Sequence, residues 1–146
     1  MKNIFFILVL SFITLACSKS DDGNNNRAHV PNQSFDTGNT INTTFPQYND
    51  LIFAGNSVVV PNFGLNGISI YFTGSGYVAF ELTDPDHVFQ SCSKLTVEGI
   101  IATCGCSDAK QYNIINGQAH AGTTAQYALK PYFVEVNGSV IRVFNN

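Results

Sequence analysis

Short apolar or alternating runs, each closed by glycine, asparagine or proline, recur along the C-terminal part of this 146-residue chain. Ser57-Val58-Val59-Val60 stops at Pro61, which cannot donate to a central ladder. Asn66-Gly67 opens Ile68-Ser69-Ile70-Tyr71-Phe72, and Gly74-Ser75-Gly76 turns the chain back into Tyr77-Val78-Ala79-Phe80-Glu81-Leu82. Glu98-Gly99 leads into Ile100-Ile101-Ala102-Thr103. Near the end, Asn137-Gly138 separates Phe133-Val134-Glu135-Val136 from Ser139-Val140-Ile141-Arg142-Val143-Phe144. Runs of this length with period two predict strands. Asn-Gly between two of them predicts a hairpin with two positive-φ residues, a type I′ turn. With no long helical period and no internal repeat, the expected fold is all-β, a small antiparallel sandwich or barrel.

The N-terminus reads differently. Met1-Lys2-Asn3 is a short basic start, residues 4–15 are almost unbroken apolar sequence, and Ala16 is small. That is the layout of a secretory signal. The run is shorter than the ~20 residues that cross ~30 Å of hydrocarbon. Thr14-Leu15-Ala16-Cys17 resembles the lipobox of bacterial lipoproteins, with Thr14 where leucine is usual and Leu15 one place late. The resemblance implies cleavage before Cys17 and lipidation of its sulfur. Ser18-Lys19-Ser20-Asp21-Asp22 resembles the acidic tag that sends some Gram-negative lipoproteins to the cell surface. The polar tract that follows buries too little apolar area to order itself. The expected organisation is a signal peptide at 1–16, a lipidated Cys17 with a polar tether at 17–33, and one domain at 34–146, lipid-anchored at the outer membrane and exposed on the cell. More than one acyl chain makes such an anchor stable.

The domain is long enough for one hydrophobic core and too short for two. Charged residues make up 12 % of the chain, the net charge is −3 and no basic cluster occurs, which excludes nucleic acid as the expected partner. No serine–histidine–acid set, glycine-rich phosphate loop or paired-carboxylate box stands out, so the chain is not read as an enzyme. Asp84 and Asp86, flanking Pro85, read as turn residues. His29 falls in the tether and His120 in a loop.

With Cys17 committed to lipid, three thiols remain in an oxidising compartment: Cys92, Cys104 and Cys106. Cys104 and Cys106 are too close in sequence to pair comfortably. Cys92 is therefore expected to bond one or the other, leaving one thiol free. A loop of that length stabilises the fold by roughly 3 kcal/mol.

The same residues resemble those of a Rieske iron–sulfur domain, whose two boxes read Cys-x-His-x-x-Cys and Cys-Pro-x-His. In Cys104-Gly105-Cys106-Ser107, Cys104 falls on a cluster-ligand cysteine, Cys106 on the cysteine that forms a disulfide in some members, and Ser107 on a ligand histidine. In Pro85-Asp86-His87, His87 falls on a ligand histidine and Pro85 on a ligand cysteine, with Cys92 as disulfide partner after a small insertion. Flanking pieces resemble the family in order. These are Gly67 to Tyr71, Tyr77 to Phe80, Tyr112 to Gln118, and Ala128 to Val136, so the likeness spans roughly residues 51–144. The resemblance implies a Rieske-like antiparallel β fold and a Cys92–Cys106 disulfide, with Cys104 as the alternative partner. It also implies a metal site reduced to Cys104 and His87. A [2Fe–2S] cluster takes four ligands. The leading expectation is thus a cluster-free binding or structural module with no cofactor. Its protein or ligand partner would meet the exposed loop tip, around 84–91 and 104–110. The second expectation is an electron-transfer protein whose [2Fe–2S] site borrows Asp84, Asp86 or Asp108. The third is zinc held by Cys92, Cys104, Cys106 and His87.

Overall fold

The computed structural model describes residues 29–146. The expected signal segment, the lipidation site Cys17 and most of the tether lie outside the described residues. Among the described residues no helix is long and apolar enough to cross a membrane.

Among the described residues nine strands form two antiparallel sheets. They are β1 (Phe35–Asp36), β2 (Ser57–Val60), β3 (Ile68–Phe72), β4 (Tyr77–Glu81), β5 (Leu95–Glu98), β6 (Ile101–Cys104), β7 (Gln111–Asn113), β8 (Pro131–Asn137) and β9 (Val140–Asn145). The large sheet has the order β1-β9-β8-β4-β3-β2, and the small one β5-β6-β7. Two apolar clusters fill the interior, the second drawing on Phe80 of β4 as well as on the small sheet. Ile41, Leu51, Val60, Ile68, Ile70, Ala79, Tyr132, Ile141 and Val143 fill one. Phe80, Leu82, Leu95, Ala102, Cys104, Tyr112, Ile114 and Leu129 fill the other. Burying a side chain of this kind contributes about 1.5–3 kcal/mol, which makes the clusters the main source of stability.

Past Glu81 the chain continues as Leu82-Thr83-Asp84 and joins the sheets. Leu95 N donates to Leu82 O at 2.8 Å and Asp84 N to Ser93 O at 2.8 Å, while Thr83 bridges Lys94. The backbone of residues 82–84 is thereby paired with residues 93–95, Leu82 N donates to Gly67 O at 2.9 Å on the other side, and residues 79–82 are all buried.

Three sequence expectations shift. The β8–β9 register pairs Asn137 with Val140, so the two-residue loop is Gly138-Ser139 rather than Asn137-Gly138. Only Gly138 has positive φ there (59°), which is the II′ pattern with glycine first, and it leaves Asn137 free to pair in the ladder. The first residue of β6 is Ile101, since Gly99 and Ile100 form the tight turn from β5. Folded contacts also begin before residue 34. Val30 is buried, Lys130 Nζ reaches Asn32 Oδ1 at 2.8 Å, and Asn145 Nδ2 reaches Gln33 O at 2.7 Å. His29, assigned to the tether, packs edge-on against Tyr127.

Candidate metal centre and disulfide-bonded loop tip

Strand periodicity delivers Cys104 to the interior. In β6, Ala102 and Cys104 face inward and Ile101 and Thr103 are half-exposed, as alternation requires. Ala102 stands opposite Tyr112 of β7, so a small side chain makes room for a large one. Tyr112 reaches across to the end of the 82–84 run, donating its hydroxyl to Asp84 Oδ1 at 2.5 Å and to Asp86 Oδ2 at 2.9 Å.

Cys92 and Cys106 are joined by a disulfide across 14 residues, and Cys104 is a buried free thiol. The alternative Cys92–Cys104 pairing does not occur, because Cys104 points inward while Cys106 lies on the loop beyond β6. Gly105 allows the loops to meet. A Cβ there would lie 3.0 Å from Cys92 O. The second loop then turns sharply, with Ala109 at φ 45° and its N–H on Cys106 O.

His87 sits between the two loops. Its Nδ1 lies 3.6 Å from Cys104 Sγ and 3.0 Å from Asp84 Oδ2, and its Nε2 lies 3.1 Å from Asp108 Oδ2. Lys110 Nζ approaches Asp108 at 3.4 Å and Asp86 at 3.8 Å. Three carboxylates thus face one ammonium and one imidazole, a negative cradle. Burial first, and then the neighbouring Asp84 carboxylate, push the Cys104 thiol from 9.0 up to about 12. The same order of causes, burial and then Asp84 and Asp86, holds the Tyr112 hydroxyl well above its usual range.

Asp84 and Asp86 are more than turn residues. Asp84 Oδ1 does accept from Asp86 N at 2.8 Å, the expected aspartate turn. Yet Asp84 is fully buried, and the Asp86 side chain is 4 % exposed. Asp86 also ties in residues 126 and 127, whose backbone N–H groups lie 3.0–3.4 Å from its carboxylate. The burial comes from residues far along the chain, which local turn chemistry does not register. Asp84 Oδ2 lies 3.0 Å from His87 Nδ1 without a well-formed hydrogen bond, and the Cys104 thiol also interacts with the Asp84 carboxylate.

The donor set does not fit a [2Fe–2S] cluster. Pro85, at one ligand position, is buried and has no donor, and Ser107, at another, is an exposed neutral hydroxyl. Cys106 Sγ is bonded to Cys92. Cys104 and His87 remain adjacent, and with Cys106 they form the His/Cys group whose ligand atoms lie within 4.8 Å of one another. The expected zinc site of Cys92, Cys104, Cys106 and His87 loses two of its sulfurs to the disulfide.

No family model matches the chain, and no curated protein matches it. Solved structures do. A chain of the complex of reduced oxygenase and oxidized ferredoxin in carbazole 1,9a-dioxygenase is 23 % identical, covering 62 % of this chain and 82 % of that one, with a TM-score of 0.43. The Sphingomonas yanoikuyae B1 ferredoxin is 17 % identical, covering 64 % and 89 %, with a TM-score of 0.43. A ferredoxin of carbazole 1,9a-dioxygenase from Nocardioides aromaticivorans IC177 is 15 % identical, covering 64 % and 88 %, with a TM-score of 0.41. The described residues form an all-β domain of two antiparallel sheets. Strands β3 and β4 feed the first loop, β6 feeds the second, and the chain returns through β7 to the β8 strand.

Proposed function

We propose that this chain is a lipid-anchored, Rieske-like module of the outer-membrane surface that carries no iron–sulfur cluster and works as a binding or structural module, not an enzyme. The observation that carries this reading is the fate of the four donor positions. Two hold Pro85 and Ser107, and the loops around them are closed by the Cys92–Cys106 bond. Tyr112, Asp84, Asp86 and His87 are linked to one another at this tip. Exposed loops on a rigid β scaffold commonly carry binding. At this tip Val88 is 71 % and Phe89 47 % exposed, an apolar pair beside the disulfide. The anchor reading rests on residues 1–22 and especially Cys17.

Iron and acid-labile sulfide analysis of the full chain, prepared without oxygen from iron-replete cells, tests the cluster-free reading. Substoichiometric iron and no visible charge-transfer absorption are expected. Two irons and two sulfides per chain would replace it with the electron-carrier reading. Incorporation of labelled fatty acid, abolished by Cys17→Ser, tests the anchor.

A further inference from the structure

Three donors of the tip converge at separations compatible with a shared metal ion. Cys104 Sγ is 3.6 Å from His87 Nδ1, and that nitrogen is 3.0 Å from Asp84 Oδ2. Around a tetrahedral zinc ion with Zn–S of about 2.3 Å and Zn–N and Zn–O of about 2.0–2.1 Å, neighbouring sulfur and nitrogen ligands lie about 3.5 Å apart, and nitrogen and oxygen about 3.3 Å. The observed pairs fall within a few tenths of an ångström of those values.

A second observation concerns the carboxylate. Asp84 is fully buried, and its Oδ2 makes no well-formed hydrogen bond but faces the His87 imidazole, with Nδ1 at 3.0 Å. Its sister oxygen is occupied by Tyr112 OH and Asp86 N, which fixes the carboxylate's orientation with Oδ2 toward His87. A buried carboxylate oxygen so placed normally costs stability unless a cation or donor meets it. The surroundings also supply what a metal site needs behind its ligands. A ligating histidine usually presents its second ring nitrogen to a carboxylate, and His87 Nε2 lies against Asp108. Lys110 Nζ pairs with Asp108 at 3.4 Å and Asp86 at 3.8 Å.

We propose that Asp84, His87 and Cys104 bind one divalent cation of borderline softness, with the Cys92–Cys106 disulfide intact. The mixed sulfur, nitrogen and oxygen set points to zinc over calcium or magnesium, which take oxygen ligands. The fourth position goes to water or to an incoming ligand. On binding, the Cys104 thiol loses its proton to solvent and the thiolate bonds the metal. The disulfide and every oxidation state are unchanged. The site goes beyond the cluster-free module and does not rest on it, because the iron and sulfide assay and the titration below read different species.

Cobalt(II) is the probe, titrated without reductant into the full chain carrying Cys17→Ser, so that Cys104 is the sole free thiol. The expected result is one cobalt per chain, with thiolate-to-metal absorption in the near ultraviolet, ligand-field bands of tetrahedral strength, and displacement by zinc. Cys104→Ser removes the thiolate band. Asp84→Asn and His87→Gln each weaken binding by at least about tenfold, whereas Lys110→Ala does not weaken it. Cobalt bound without a thiolate band would overturn the proposal, as would a band that survives at full affinity in His87→Gln. His87 is partly exposed, so its variant is expected to melt like the parent without metal, and its titration decides the matter even where the buried variants fail to fold.

Discussion

Glu81 and Asp84 stand three residues apart on one run of chain, both fully buried, and their surroundings treat them in opposite ways. Glu81, at the end of β4, is saturated. Its Oε2 accepts from Leu65 N at 2.9 Å and Tyr132 OH at 2.5 Å, and its Oε1 from Asn66 N at 3.0 Å and Thr83 Oγ1 at 2.8 Å. Gly64, at φ 71°, lets this loop close, because a Cβ there would collide with Glu81 Oε2. Burial, and then the Glu81 charge, drive the Tyr132 hydroxyl far above its usual range. Asp84 receives two hydrogen bonds on one oxygen, while the other makes none of good geometry and faces the His87 imidazole at 3.0 Å. A carboxylate whose lone pairs are filled by its own fold is a structural device. One held rigid with an oxygen lacking a well-formed hydrogen bond, beside an imidazole and a thiol, retains chemistry. The contrast separates the large sheet, which supports, from the small sheet and its loops, which present.

The sharpest way to break this contrast is to remove each carboxylate's charge and compare. Glu81→Ala strands two backbone N–H groups and two hydroxyls, and is expected to cost about 4 kcal/mol in urea unfolding, since each unsatisfied group costs about 1–3 kcal/mol. Asp84→Asn keeps an acceptor for Tyr112 and Asp86 N, and is expected to cost less than about 1.5 kcal/mol. Equal costs would make Asp84 another structural carboxylate. Next in size is the disulfide. Cys92→Ser opens a 14-residue closure and is expected to remove roughly 3 kcal/mol, or about 10 °C of Tm. Thermal melts of the parent with and without reductant check this directly, and an unchanged Tm would mean the loops are held by the Asp84–His87–Asp108 contacts alone.

The smallest effect belongs to a third, exposed carboxylate. Hydrogen bonds from Arg142 hold Asp36 down to about 2, from 3.8. Its folded pKa lies below its unfolded one, so the contribution is complete above about pH 4 and is lost as pH falls toward 2. Asp36→Asn should flatten that part of the stability–pH curve and leave neutral pH almost unchanged, as expected of a solvent-screened pair. A large loss at pH 7 would break the ranking of buried over exposed carboxylates.

Much of this arrangement is legible in the sequence, where the physics is local. Alternation in Ile101-Ala102-Thr103-Cys104 puts Cys104 on the face of Ala102, and the β2, β3, β4, β8 and β9 runs sit where their patterns predict. The resemblance of the two boxes brings His87 and Cys104 together, and they meet. Glu81 carries no such signal. It lies in Ala79-Phe80-Glu81-Leu82, where both faces are covered and alternation vanishes, and its partners include residues 15 to 51 positions away. Asp84 and Asp86 are legible as turn formers, yet their burial is set by Tyr112 and by residues 126 and 127, contacts that no local pattern encodes. The hairpin turn slips by one residue because a lone glycine satisfies a II′ turn as well as Asn-Gly satisfies I′.

The central claim is that the tip is a locked half-site, with two sulfurs bonded to each other and the third buried between an imidazole and a carboxylate. Peptide mapping of the native full chain under non-reducing conditions, with alkylation before and after unfolding, tests it most directly. A locked tip predicts a Cys92–Cys106 linked peptide pair and a Cys104 that resists alkylation at pH 8 until the chain unfolds. With its thiol pushed up to about 12 and buried, native Cys104 should react far more slowly than an ordinary thiol. Cys92 and Cys106 recovered as free thiols, or Cys104 alkylated as fast in the native chain as in the unfolded one, would contradict it.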